Sequence, residues 1–117
     1  DPTPYIVAAP IYNPMALLEV LDALKEQGWR IAVTSWLAMG ATKEYNTAVR
    51  QAKRNWLEMI GFPADEIHIV KYGTPKEIFG NETDVLFDDE IQNRENWNGT
   101  AYDVENILEN LRNLLDK

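Results

Sequence analysis

The feature that most constrains the fold is a short apolar run, Val85-Leu86-Phe87, that ends in two adjacent carboxylates, Asp88 and Asp89. An apolar run bounded by charges is typical of a strand that is buried on both faces of a parallel sheet. Ligand sites in such sheets lie beyond the carboxyl ends of the strands. The two aspartates are therefore candidate ligands for a hard divalent cation such as Mg²⁺. Taken alone, the pair is more typical of a strand that ends in a solvated acidic turn.

The rest of the chain alternates helical and strand patterns. Asn13 as N-cap and Pro14 at the first helical position predict the start of a helix, which Gly28 ends. We predict helices over residues 14–27 and 43–60, strands over 29–33, 67–70, 85–87 and 100–102, a helical turn from Glu90 and a final helix capped by Asp103. This alternation, without a repeat or a linker, predicts an α/β domain with a mainly parallel sheet flanked by helices.

Composition excludes several classes of function. A length of 117 residues suits one domain with a real core. The net charge of −8, from 11 basic and 19 acidic residues, opposes non-specific binding to nucleic acid or anionic membranes. The apolar stretches are too short to span a bilayer. The absence of cysteine excludes disulfides and thiolate metal sites and fits a reducing compartment. We therefore expect a cytoplasmic protein that binds neither nucleic acid nor membranes.

Further polar groups follow the other predicted strands. Thr34 and Ser35 end the first of them, and Lys76 lies in the loop after the next. In a parallel sheet these ends share one edge with Asp88 and Asp89. Hydroxyls bind phosphate oxygens, a lysine adds positive charge, and paired aspartates hold Mg²⁺. The sequence thus predicts a site for a phosphorylated ligand.

Each of these groups can also be interpreted as a purely structural residue without a role in ligand binding. A hydroxyl pair often just ends a strand, and Lys76 would ordinarily be a solvated loop lysine. Lys53 and Lys71 compete with Lys76 for the role of phosphate-binding cation, although Lys53 is predicted in the middle of a helix. The single histidine, His68, alternates with isoleucines and is expected on the polar face of its strand, without a catalytic role. Trp36 follows the hydroxyl pair directly and is a candidate border of the ligand site.

The order of the groups, hydroxyl first, then lysine, then paired aspartates, resembles the haloacid dehalogenase (HAD) superfamily of phosphatases. A response-regulator receiver domain has its acidic pair before the hydroxyl and the lysine, so the order disfavours that fold. Ile31-Ala32-Val33-Thr34-Ser35 resembles the second HAD motif, Gly73-Thr74-Pro75-Lys76 the third and Leu86-Phe87-Asp88-Asp89 the fourth. The region 72–102 is similar to small phage and bacterial HAD proteins of deoxyribonucleotidase-like architecture. The resemblance covers nearly the whole chain.

The resemblance implies a Rossmann-like HAD fold and Mg²⁺-dependent hydrolysis of a phosphomonoester through an aspartyl-phosphate. Asp88 and Asp89 would coordinate the metal, directly or through water. Ser35 or Thr34 would hold the transferring phosphoryl group, with a slight preference for Ser35, and Lys76 would stabilise its charge. The implied partner is a small phosphorylated substrate, for which a nucleotide is a candidate by analogy alone.

The first HAD motif, a strand followed by DxDx(T/V) that carries the nucleophile, is absent, since no DxD occurs in the sequence. We interpret residues 1–117 as a single HAD-like domain that is the C-terminal portion of a longer chain, with the first strand and the nucleophile upstream. This chain would then be inactive by itself. The alternative is a degenerate HAD scaffold in which residues 5–9 replace the first strand. Such a domain would bind phosphate or another protein without catalysis. The sequence leaves substrate identity and oligomeric state open.

Overall fold

The computed structural model describes residues 14–115, and its packing divides the chain into a first unit that ends at Thr74 and a second unit that begins at Pro75. Residues 5–9, the candidate replacement strand, and Asn13, the predicted helix cap, lie outside the described residues. The single-domain interpretation stays a prediction.

The first unit contains two helices and two parallel strands. In chain order these are α1 (Pro14–Glu26), β1 (Ala32–Trp36), α2 (Lys43–Met59) and β2 (Glu66–Val70). Gly28 ends α1 as predicted, with a φ of 99° that a glycine adopts without steric cost. Thr42 caps α2 by accepting a hydrogen bond from the backbone N–H of Tyr45 at 3.1 Å.

Strand β1 begins and ends three residues later than its predicted range of 29–33. The reason lies in tertiary contacts that the local pattern does not contain. The backbone N–H of Asp65 donates to the Ile31 carbonyl at 2.7 Å, and the N–H of Leu37 donates to the Val70 carbonyl at 2.7 Å. Pairing with β2 therefore continues beyond Val33, and Thr34 and Ser35 lie inside the strand instead of after it.

The two faces of the β1–β2 pair differ in character because side chains alternate along each strand. On one face Leu37 and Ile69 form a buried cluster with Val49 of α2, and Ile67 packs against it. The other face carries the polar side chains of the register pair Thr34 and His68. This alternation sends the two neighbouring hydroxyls to opposite faces of the pair.

The second unit contains two further parallel strands and short helices. Its elements are a 3₁₀ helix (Lys76–Phe79), β3 (Val85–Phe87), α3 (Ile91–Asn96), β4 (Thr100–Tyr102), a second 3₁₀ helix (Val104–Asn106) and α4 (Ile107–Leu114). The strands pair in parallel, and the rings of Phe87 and Tyr102 stack with centroids 5.4 Å apart. The N–H of Asp88 donates to the Tyr102 carbonyl at 3.0 Å, which continues the ladder by one residue.

The prediction that Asp103 caps the final helix is wrong. A 3₁₀ turn precedes α4, and the Asp103 side chain makes no capping hydrogen bond. Its carboxylate instead lies 3.5 Å from the Arg94 guanidinium. Asp103 therefore forms an ion pair with α3 instead of a cap on its own helix.

The described chain is a mixed α/β structure, and both of its strand pairs, β1–β2 and β3–β4, are parallel as predicted. Within residues 14–115, no helix has the length and apolar character needed to cross a membrane.

One carboxylate, Asp65, joins the end of α1 to the start of both strands of the first unit. Its Oδ2 accepts from the Ile31 N–H at 2.8 Å, and its Oδ1 lies 3.2 Å from the Lys25 ammonium. The Ile31 N–H, followed by the Lys25 hydrogen bond, holds the pKa of Asp65 below its ordinary value of 3.8, although burial opposes the shift.

This lowered pKa predicts a pH-dependent effect of Asp65→Asn. A carboxylate whose pKa falls on folding stabilises the folded state above its unfolded pKa, and that contribution is lost as the pH falls through the folded pKa. We expect Asp65→Asn to lower the Tm at neutral pH, with a smaller difference from the wild type in acid below the ordinary Asp range. Calorimetry across this range measures it. Asp22→Asn, an exposed carboxylate on α1, is the control. A difference that does not change with pH would contradict the assignment.

A second prediction concerns Gly99, which follows Trp97 in the turn before β4. The Trp97 Nε1–H donates to the Asp84 carbonyl at 2.9 Å. A Cβ on Gly99 would lie 2.5 Å from that carbonyl oxygen and 2.8 Å from the Glu82 carbonyl oxygen. Because both neighbours are backbone atoms, we expect Gly99→Ala to lower the free energy of unfolding by about 1–3 kcal/mol in a denaturant titration. The exposed neighbour Asn98→Ala should stay within about 0.5 kcal/mol of the wild type, and equal stability of both variants would refute the steric argument.

Candidate functional site

The second unit contains a buried ion pair between two of the predicted site residues. The Lys76 ammonium donates to Asp88 Oδ2 at 2.7 Å, and the residues are only 6% and 1% exposed. Lys76 begins the first 3₁₀ helix, and Asp88 follows β3 directly. The structural reading of Lys76 as a solvated loop lysine is therefore wrong.

The Asp88 carboxylate also organises the start of α3. Its Oδ1 accepts from the Glu90 N–H at 2.8 Å, and its Oδ2 accepts from the Asn93 amide at 3.3 Å. The Arg94 guanidinium donates to the Asp88 main-chain carbonyl at 3.0 Å. Three donors, one of them the Lys76 ammonium, thus compensate the desolvation of the buried carboxylate. Asn93, itself buried, is a site residue that the sequence reasoning missed.

Asp89 has a different environment from its neighbour. Its side chain is exposed, and within residues 14–115 no hydrogen bond or ion pair joins it to another residue. The acidic pair therefore divides into a buried, fully engaged carboxylate and a carboxylate in contact with solvent.

The environments of the Asp88 and Asp89 carboxylates match the predicted Mg²⁺ site only in part. Within the described part of the chain, no cluster of three or more histidine or acidic residues is placed to hold a metal ion. Asp88 Oδ2 already has two donors, which leaves a lone pair on Oδ1 as the available acceptor. Mg²⁺ commonly keeps several waters and binds one or two carboxylates together with substrate phosphate. Asp89, which is exposed, and Asp88 Oδ1, which has one donor, each keep a lone pair for such a cation.

The first unit holds a second buried lysine contact, between Lys53 of α2 and Ser35 of β1. The Lys53 Nζ lies 2.5 Å from Ser35 Oγ and 3.1 Å from the Trp36 carbonyl oxygen. Ser35 is 4% exposed and Lys53 8%. Of the two candidate hydroxyls, Ser35 is thus the one that contacts a cation.

The sequence reasoning placed Lys53 below Lys76 as the candidate cation because Lys53 was predicted in the middle of a helix. The signal that identifies it is its spacing, since Val49, Lys53 and Leu57 lie four residues apart and all three are buried. A lysine within the apolar stripe of a helix is a buried cation.

The remaining candidates have structural partners. The His68 Nε2 lies 3.2 Å from Glu66 Oε1. The Trp36 Nε1–H donates to the Thr74 carbonyl at 2.8 Å, and its ring meets Tyr72 edge-on with centroids 5.1 Å apart. Trp36 follows Ser35 but is fixed by contacts within the first unit.

The buried pair predicts strong coupling between Lys76 and Asp88. Removing one partner leaves an uncompensated buried charge, so Lys76→Met and Asp88→Asn should each lower the free energy of unfolding by about 3–5 kcal/mol. The double variant should lose less than the sum, with a coupling energy of about 0.5–3 kcal/mol. Denaturant titration of all four proteins measures this cycle.

The control is Lys71→Met, because Lys71 is an exposed lysine near the same loop; its free energy of unfolding should change by less than about 0.5 kcal/mol. Additive losses in the double variant would show that the two charges do not stabilise one another.

Comparison of the chain with protein-family models, characterised proteins and solved structures gives no match. The resemblance to HAD phosphatases therefore rests on the residues of this chain, and membership of that superfamily stays a hypothesis.

Proposed function

We propose that this chain carries the phosphoryl-binding part of a HAD-type phosphomonoester hydrolase. The observation that carries the proposal is the buried Lys76–Asp88 pair at the carboxyl end of β3. A buried ion pair is a weak source of stability, because apolar residues of similar volume often serve the fold as well or better. A lysine held by a carboxylate at the end of a parallel strand suits a ligand-binding role.

In this proposal each residue has one task. Lys76 places a positive charge against the phosphoryl oxygens, where charge develops during transfer. Asp88 fixes the position of the Lys76 ammonium. Within the first unit, Ser35 is the proposed hydroxyl donor to a phosphoryl oxygen, and we prefer it to Thr34 because it is the hydroxyl that contacts a cation.

Asp89 is the proposed metal ligand, with Asp88 Oδ1 as a second donor. Bound Mg²⁺ would neutralise part of the negative charge of the phosphate. The nucleophile implied by the resemblance is an aspartate of a DxD motif, which the printed sequence does not contain. We propose a small phosphomonoester as the substrate, with a nucleotide as a candidate by analogy, and, from the absence of cysteine, a cytoplasmic location.

A second candidate is a non-catalytic phosphate-binding or protein-interaction domain on a degenerate HAD scaffold. Two observations favour it. No DxD occurs in the sequence, and the Asp88 carboxylate already has three donors. Under this alternative Lys76 and Asp88 hold the second unit in shape, and phosphate binds without turnover.

Hydrolysis of p-nitrophenyl phosphate by the natural-length protein tests the enzyme proposal. We expect Mg²⁺-dependent turnover that EDTA removes, and a loss of at least about tenfold in Asp89→Asn. Because Asp89 is exposed, this change should leave the Tm unaltered. The matched control is Glu95→Gln, another exposed carboxylate of the second unit, which should retain full activity.

Equal hydrolysis by the wild type and Asp89→Asn would refute the metal role of Asp89. Phosphate binding without turnover in the natural-length protein would favour the non-catalytic alternative.

A further inference from the structure

Lys53 is a buried cation to which the proposed reaction assigns no task. Its side chain lies in the buried stripe of α2, between Val49 and Leu57, and the residue is 8% exposed. Moving an ammonium group out of water is costly unless specific polar contacts compensate it. Its described contacts are directed at the last two residues of β1.

The direction of the Lys53–Ser35 hydrogen bond follows from the chemistry of the two groups. An ammonium group has three donors and no acceptor, so Ser35 Oγ must be the acceptor. Lys53 also donates to the Trp36 carbonyl at 3.1 Å, which anchors the ammonium to the backbone beside Ser35. With Lys53 donating to its oxygen, the Ser35 hydroxyl must direct its own proton elsewhere.

That proton has no recipient in the described structure. Ser35 is 4% exposed, and within residues 14–115 its hydroxyl donates to no acceptor. Buried hydroxyls ordinarily find a partner. A hydroxyl that accepts from a cation is also a stronger donor, because hydrogen bonds in a chain polarise one another. The positive charge 2.5 Å away favours an anionic acceptor over a neutral one.

We propose that Lys53 is a positioning residue that orients the Ser35 hydroxyl as a hydrogen-bond donor to a phosphoryl oxygen. This inference rests on the proposed function in taking a phosphoryl group as the acceptor. It assigns a task to a second buried lysine, one that acts through Ser35. Under a purely structural role, Lys53 would only anchor α2 to β1.

Calorimetric binding of inorganic phosphate to the full chain tests the inference, with the Tm of each variant measured beside it. We expect Ser35→Ala and Lys53→Met each to weaken phosphate binding by about ten- to a hundredfold, the range for a hydrogen bond to a charged group. Because Lys53 acts through Ser35, Lys53→Met should have little further effect in the Ser35→Ala background. Lys53→Arg, which keeps the charge and the donor, should restore most of the affinity.

Several outcomes would overturn the inference. These are a wild-type chain that does not bind phosphate, unchanged affinity in Ser35→Ala, additive losses in the double variant, and a Lys53→Met protein with a lower Tm but normal phosphate affinity. If Lys53→Met does not fold, Lys53→Gln replaces it, because glutamine keeps a donor without the charge. Unchanged affinity in Lys53→Gln would then be decisive against the proposal.

Parallel assays of p-nitrophenyl phosphate hydrolysis separate this inference from the proposed function. Phosphate binding that depends on Ser35 and Lys53, without turnover in the natural-length protein, would remove the enzyme proposal and leave the role of Lys53 intact. Turnover and phosphate binding that respond to Asp89→Asn but not to Lys53→Met would remove the role of Lys53 alone.

Discussion

The second unit depends on the ion pair and hydrogen bonds that the Asp88 carboxylate makes. This carboxylate follows β3, accepts from the lysine of the preceding 3₁₀ helix, and accepts from the backbone and a side chain at the start of α3. At 1% exposure, its desolvation must be compensated by all of these donors together. The positions of Lys76 and Asn93 are therefore consequences of burying one charge.

The first unit contains a similar contact, in which a buried lysine donates to a neutral acceptor instead of a carboxylate. There, β1 ends beside a buried hydroxyl, Ser35, and a lysine from the following helix donates to it. In both units a polar side chain thus lies near the carboxyl end of a parallel strand, and a buried lysine donates a hydrogen bond to that side chain. Two of the 11 Lys and Arg residues of this acidic chain are thus buried near strand ends.

Sequence reasoning predicted the parts of the fold that local patterns determine. The bounds of β3 and β4, the start of α2 and the glycine end of α1 agree with the structure because apolar runs, caps and turn residues specify them. It placed β1 three residues too early because the Asp65 contact with Ile31 is a tertiary interaction. Lys76 and Asp88 were selected as candidates through their order along the chain, and the structure brings their side chains into contact. Lys53 was considered only as a competitor of Lys76, since its burial depends on which face of α2 packs against β1, and charge alone does not reveal that face.

The two members of the acidic pair differ in environment, and the proposed function assigns them different tasks. The position directly after β3 lies among the donors of Lys76 and the start of α3, and the next residue lies at a bend of the backbone. Asp88 occupies that position, and its oxygens are largely committed. Asp89 is left exposed, and its oxygens can bind a cation without breaking a contact within the described fold. Under the proposed function, the buried member therefore sets the geometry of the site, and loss of the exposed member changes reactivity while the fold stays intact.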